Sequence, residues 1–156
     1  MKRFLISAVF AMLLASCDSG ISHEPDGLQS DTIKLSADRV VFGAGGSVQE
    51  VSAKGTSWTI ISFEENGSSF YAHPDAVGQD GYKGYSFEFE NLEGAFCDPA
   101  NPAVTLIRSE WFELRRELRL ITVSVEPNGT GKQRSVVFTL EDRNYFGTLT
   151  VTQQAE

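Results

Sequence analysis

Between Leu120 and Gln153 apolar and polar side chains alternate in three separate runs, and this pattern restricts the fold more than any other stretch of the chain. Ile121, Val123 and Val125 alternate with Thr122, Ser124 and Glu126, a period of two that places one face of an extended chain in a dry interior and the other in water. Pro127-Asn128-Gly129 ends the run, because proline has no N–H to give a ladder and Asn-Gly tolerates the positive φ of a tight turn. Val136, Phe138 and Leu140 resume the alternation, residues 141–144 interrupt it, and Leu149 and Val151 continue it between Thr148, Thr150 and Thr152. Short connections predict that these three strands pair antiparallel in sequence order. With no helix-forming run between them, a parallel α/β sheet is disfavoured and an all-β, antiparallel sandwich is expected.

The amino terminus carries a processing signal. Lys2 and Arg3 precede an apolar segment at 4–15, and Leu14-Ala15-Ser16-Cys17 follows. About a dozen apolar residues fall short of the ~20 that a membrane-spanning helix needs. Leu-Ala-Ser-Cys resembles the bacterial lipoprotein box, in which the cysteine becomes the first mature residue and is acylated. The resemblance implies a signal peptide at 1–16, lipidation of Cys17 and attachment to the outer membrane, facing either the periplasm or the outside. Each buried CH₂ contributes about 0.8 kcal/mol, so more than one acyl chain gives a durable anchor. Residues 17–31, with Gly20, Pro25, Gly27 and several serines, read as a flexible tether, and 32–156 as one domain long enough for a real core.

Loss of Lys2 and Arg3 with the signal leaves eleven basic against 21 acidic residues, a formal charge of −10. Nucleic acid is therefore not an expected partner, since phosphate binding needs clustered cations and the densest group, Arg115, Arg116 and Arg119, is interleaved with Glu113 and Glu117. With Cys17 acylated, Cys97 is the only thiol, so an intrachain disulfide and a two-cysteine metal site are excluded; Cys97 is expected as a small buried hydrophobe.

Further strands are expected at Ile33 and Leu35, at Val40 to Phe42, from Val48 to Ala53 and from Trp58 to Phe63, with Trp58 in the core. Ile33-Lys34-Leu35-Ser36-Ala37, Val41-Phe42, Ala44-Gly45-Gly46-Ser47, Ser57-Trp58, Val123 to Asn128, Gln133-Arg134-Ser135 and Leu149-Thr150-Val151-Thr152-Gln153 together resemble the BACON domain. That pattern runs from a leading strand through a glycine pair, a tryptophan, an asparagine turn and an arginine to a terminal Val-x-Gln. The resemblance spans both ends of the domain. It implies an immunoglobulin-like β-sandwich, a place in the envelope of glycan-using bacteria and a carbohydrate-binding role.

The chain departs from the pattern at about 64–110, a long insertion rich in aromatics. Residues 63–112 hold ten of the fifteen aromatics left after the signal is removed, so the insertion is not filler. Tyr85, Phe87 and Phe89 alternate with Ser86, Glu88 and Glu90 and predict a strand over 84–91; Val104 to Ile107 predicts another. Residues 110–120 read either way, because Trp111, Leu114, Leu118 and Ile121 fall at helical spacing while the resemblance favours a strand.

No constellation names a reaction. His23 lies in the tether, His73-Pro74-Asp75 reads as a loop, and carboxylates such as Glu64, Glu65, Glu88, Glu90 and Glu110 are what an acidic soluble domain carries. Asp75, Asp80 and Asp98 lack the Asp-x-Asp-x-Asp-Gly spacing of a calcium loop. No metal, no cofactor and no enzymatic activity are expected. Sugars present flat apolar C–H faces ringed by hydroxyls, and a site for them needs exposed aromatics with amides or carboxylates at the rim. Tyr71, Tyr82 and Tyr85, amid Gly78, Gln79, Asp80, Gly81 and Gly84, are the candidate glycan-binding residues, with core filling as the competing role for each ring. The expected function is a lipid-anchored envelope module that binds glycans without catalysis; the alternative is a structural or protein-interaction subunit of an envelope complex.

Overall fold

The computed structural model describes residues 30–95, 97 and 99–156. The signal peptide, Cys17 and most of the tether lie outside the described residues. Ten strands follow in order: β1 (Arg39–Phe42), β2 (Ser47–Ser52), β3 (Thr59–Glu65), β4 (Ser68–Tyr71), β5 (Ser86–Glu90), β6 (Ala103–Arg108), β7 (Phe112–Glu117), β8 (Leu120–Val125), β9 (Arg134–Asp142) and β10 (Tyr145–Gln153). They form two five-stranded sheets, ordered β1-β10-β9-β3-β4 and β2-β8-β7-β6-β5, packed face to face as the expected all-β sandwich.

The alternation read in the sequence sets which side chains meet between the sheets. Val136, Phe138 and Leu140 of β9, Leu149 and Val151 of β10, and Ile121, Val123 and Val125 of β8 are all buried. Trp58, Phe63, Phe112 and Leu114 complete the layer, each contributing roughly 1.5–3 kcal/mol by leaving water. Trp58 is a core residue, as its sequence context predicts: its Nε1–H donates to Gly55 O at 3.0 Å, and the Arg116 guanidinium stacks 3.9 Å from the ring.

Four features correct the sequence reading. β8 and β9 do not pair; residues 127–133 carry the chain from one sheet to the other, and of the three C-terminal strands only β9 and β10 form a hairpin. β1 pairs with β10 in parallel, so the sandwich is not wholly antiparallel. Residues 33–35 form no strand but a single bridge between Leu35 and Ala53, because Lys34 at φ 47° turns the chain there. A hairpin strand, β4, appears where none was expected, closed by Asn66-Gly67 with positive φ at both residues, the type I′ signature. Residues 110–120 resolve as β7 and the turn into β8.

The insertion is part of the sandwich. It supplies the edge strands β4 and β5 and the inner strand β6, and residues 72–85 run back between the two edges. Phe63 stacks on Phe70 at 4.9 Å and meets Tyr85 edge-on at 5.0 Å, while Tyr82 contacts Phe70 at 5.5 Å and Phe87 at 6.1 Å. These rings close the side of the sandwich that would otherwise stand open.

Candidate functional site

The three tyrosines named from sequence do not share one surface. Tyr85 turns its hydroxyl inward and donates to Glu65 Oε2 at 2.6 Å, with its ring 4.8 Å from Phe70. Burial, then the Glu65 hydrogen bond and the charges of Glu65 and Glu110, raise its pKa above the ordinary tyrosine value. Tyr82 is half-buried, and its hydroxyl oxygen accepts the Tyr71 N–H at 2.8 Å. Tyr71 alone is solvent-facing, 70% exposed at the end of edge strand β4. Tyr82 and Tyr85 thus spend their polar handles inside the molecule.

The other residues weighed for chemistry are likewise engaged. His73 Nδ1 accepts the Asp75 N–H at 3.2 Å, which leaves Nε2 to donate to Asn101 Oδ1 at 3.1 Å. It pins two loops together. Cys97 is half-buried, with its Sγ 3.6 Å from Leu92 O. Among the described residues no group of three or more His, Cys, Asp or Glu side chains is placed to hold a metal.

Much of the resemblance pattern gathers at one end of the sandwich, where β3, β8 and β10 finish. Gln153 Nε2 donates to Glu126 O at 2.8 Å and reaches Gly43 O and Ala44 O at 3.3 and 3.4 Å; its Oε1 accepts from Arg134 Nε at 2.9 Å. Asn128, fully buried, donates from Nδ2 to Lys132 O and Gln154 O at 2.8 and 2.9 Å. Gly46, at φ 74°, lies so close to Val125 O that a Cβ would sit 2.6 Å from it. Arg134 covers Trp111, whose Nε1–H donates to Glu65 Oε1 at 2.5 Å. Two clefts of about 270 and 250 Å³ share Glu65, Asn66 and Glu110 here, but the ring of Trp111 beneath them is buried and offers no platform.

A roomier groove, about 500 Å³, lies along the opposite half of β10, between Asp31, Ile33 and residues 35–38 on one side and residues 145–148 on the other. It exists because β1 starts late. Arg39 is the first residue of β1 and pairs with Thr150, so the earlier part of β10, paired with β9 on one side, has no strand on the other. The Thr150 N–H donates to Asp38 O at 2.8 Å on that edge. By the alternation of an extended chain, the backbone groups of Phe146 and Thr148 face the same edge and open into the groove.

The walls carry the chemistry that the sequence reading sought among the insertion tyrosines. Phe146 is 57% exposed and offers an apolar face. Burial, then the neighbouring Asp31 carboxylate through its charge and hydrogen bonding, raises the Tyr145 hydroxyl pKa. Asp31 Oδ1 also accepts the Lys34 N–H at 2.7 Å, which fixes the carboxylate in place. Asp38 is exposed at the rim, with Ser36 and Thr148 adding hydroxyls. Phe146 was the missed residue, and its even position beside Thr148 was the one available signal, since it puts an aromatic on the wet face of β10.

No family model matches the chain, and no curated protein matches it. Among solved structures the chain is similar to one described as the NMR structure of the protein from Bacteroides thetaiotaomicron, at 18% identity and a TM-score of 0.55, over 85% of this chain and 94% of that one. At that identity the likeness speaks for the β-sandwich alone.

Proposed function

We propose that the chain is a non-catalytic binding module of the bacterial envelope, anchored to the outer membrane through acylated Cys17, that holds a glycan in the groove beside Phe146. One observation carries this reading: an exposed aromatic ring stands in a groove whose walls add two aspartates, two hydroxyls and an unpaired strand edge. The C–H face of a pyranose packs on such a ring while its hydroxyls exchange hydrogen bonds with the carboxylates and the open backbone. The lipobox and the BACON-like motif series support the setting, and Tyr71 is kept only as a secondary contact.

Titration calorimetry against a panel of soluble glycans tests it. Phe146→Ala is expected to weaken binding about tenfold or more with an unchanged melting temperature, whereas Tyr71→Ala leaves affinity near that of the parent. Binding that survives Phe146→Ala would remove the site, and a panel without any ligand would remove the glycan reading. The open β10 edge favours a second reading, in which an extended segment of an envelope protein adds a strand there. A photocrosslinker at position 146 that captures one envelope protein, together with no glycan binding, decides for that alternative.

A further inference from the structure

The two exposed aromatics among the described residues, Phe146 and Tyr71, lie on the same outer face of one sheet. Strand register puts them there. In β10 Leu149 and Val151 point into the core, so Phe146 and Thr148 point out; in β4 Phe70 stacks on core residue Phe63, so Tyr71 points out. Phe146 pairs with Glu141, and Glu141 with Thr59. The next row runs through Thr148, Thr139 and Ser62 and ends at Tyr71. Tyr71 is thus three strands and one row away from Phe146, a separation of ~16 Å, or about three hexose rings.

Neutral hydroxyls fill the space between the two rings. Among the described residues the hydroxyls of Thr59, Ser62, Thr139, Thr148 and Thr150 on this face make no hydrogen bond within the protein. Threonine is stiff at χ1, so such a surface holds its donors and acceptors in place before anything binds, and little rotamer freedom is lost when something does. The outward strand positions of this sheet carry Arg39, Glu64 and Glu141 as their charges. The other outer face is built differently: Glu50, Glu88, Glu113, Glu117, Arg108 and Arg115 project from it. There Arg108 pairs with Glu113 at 2.6 Å, and Arg115 with Glu113 at 3.4 Å and with Glu88 at 3.7 Å. One face is an ion-pair network, and the other is a hydroxyl array with an aromatic ring at each end.

We propose that the glycan of the Phe146 groove is a linear, uncharged chain of about four or more units that leaves the groove over Thr148 and crosses β9 and β3 to Tyr71. This rests on the glycan reading of the groove and adds the class of the chain and its path. The ring at each end packs on the C–H face of a sugar, and the hydroxyl row exchanges hydrogen bonds with the units between. The charges decide against a uronate or a sulfated chain. The groove lining and the two rows hold Asp31, Asp38 and Glu141 and no Lys or Arg, in a protein of formal charge −8. An anionic polymer would meet like charge along the whole path.

The test uses the processed chain, residues 17–156, with Cys17→Ser so that no lipid is attached; it keeps every strand. Calorimetry is run with cello-, manno- and xylo-oligosaccharides of one to six units and with oligogalacturonates of the same lengths. In at least one neutral series affinity is expected to rise about tenfold between two and four units and then level off, with the galacturonates about tenfold weaker at equal length. Thr139→Arg, at the middle of the row, is expected to hold every longer glycan at the two-unit affinity. Tyr71→Ala, silent with glycans short enough to end in the groove, removes about threefold of the rise. Thr122→Arg, on the outward side of β8 in the opposite sheet, leaves the rise as in the parent, and melting temperatures show that each variant is folded. Binding that needs Phe146 but does not change with length, or a rise that survives Thr139→Arg, would overturn the path and leave the groove standing. A preference for galacturonates would overturn the uncharged class. Binding that ignores Phe146→Ala at every length, or no binding in any series, removes the groove itself and the path with it.

Discussion

Glu65 is a carboxylate 8% exposed whose two oxygens are each held by a neutral donor, Tyr85 O–H and Trp111 Nε1–H. A hydrogen bond to a charged acceptor contributes about 1.5–3 kcal/mol, and the tyrosine here also keeps its proton more firmly than it does in the unfolded chain. The sign follows from linkage. A group whose folded pKa is raised stabilises the fold fully below its unfolded value, near pH 10 for tyrosine, and that stability is lost as pH climbs toward the folded value. Tyr85→Phe is therefore expected to cost about 2 kcal/mol at neutral pH, with the difference from the parent shrinking once the pH passes about 10. Urea unfolding at neutral and at alkaline pH reads both numbers. A difference that stays constant across that range would mean the hydroxyl is not what couples stability to pH.

At the scale of elements, the β7–β8 hairpin pays for its tip. A left-handed L-residue costs roughly 1–2 kcal/mol, and Asn adopts that region more easily than Leu, so Leu118→Asn is expected to stabilise the domain by about 1 kcal/mol in thermal or urea unfolding. An unchanged or lowered midpoint would show that leucine contacts outweigh the strain. The same paired strands show what the sequence disclosed and what it concealed. β8, β9 and β10 were legible because each has one wet and one dry face, and so were β3, β5 and β6. β4 was not, since Ser68-Ser69-Phe70-Tyr71 lies at an edge where only Phe70 has a dry side. Residues 33–35 alternate like a strand, yet the positive φ of Lys34 allows a single bridge. Pro127-Asn128-Gly129 reads as a hairpin turn, but Asn128 is buried and spends its amide on Lys132 O and Gln154 O in a crossing between sheets. The groove was invisible for another reason: its two walls lie more than a hundred residues apart in the chain, and only the late start of β1 brings them together.

Across the whole molecule, the chain passes between the sheets four times, after β1, β2, β4 and β8, so neither sheet is a continuous piece of sequence. Two of those passages are fastened by a single side chain. Gln153 lies at the end of β10, between β1 and β9, and its amide donates to the carbonyls of Gly43 and Ala44 in the first passage and of Glu126 in the last, while its oxygen holds Arg134. The backbone reinforces the same junction: Asn128 N–H donates to Ala44 O at 2.7 Å and Gln154 N–H to Phe42 O at 2.9 Å. Replacing Gln153 by Leu keeps the volume but takes away the partner of the Gly43 carbonyl and of the Arg134 Nε–H, and one of two donors from the Ala44 and Glu126 carbonyls, in a part-buried junction where each lost bond costs stability. The expected loss is roughly 2–4 kcal/mol, seen as a lower urea midpoint with an unchanged slope, because sheets threaded through one another have to unfold together. A loss under about 1 kcal/mol would show that the junction is held by backbone pairing alone. A second transition, with one sheet melting first, would show that the crossings do not enforce cooperativity.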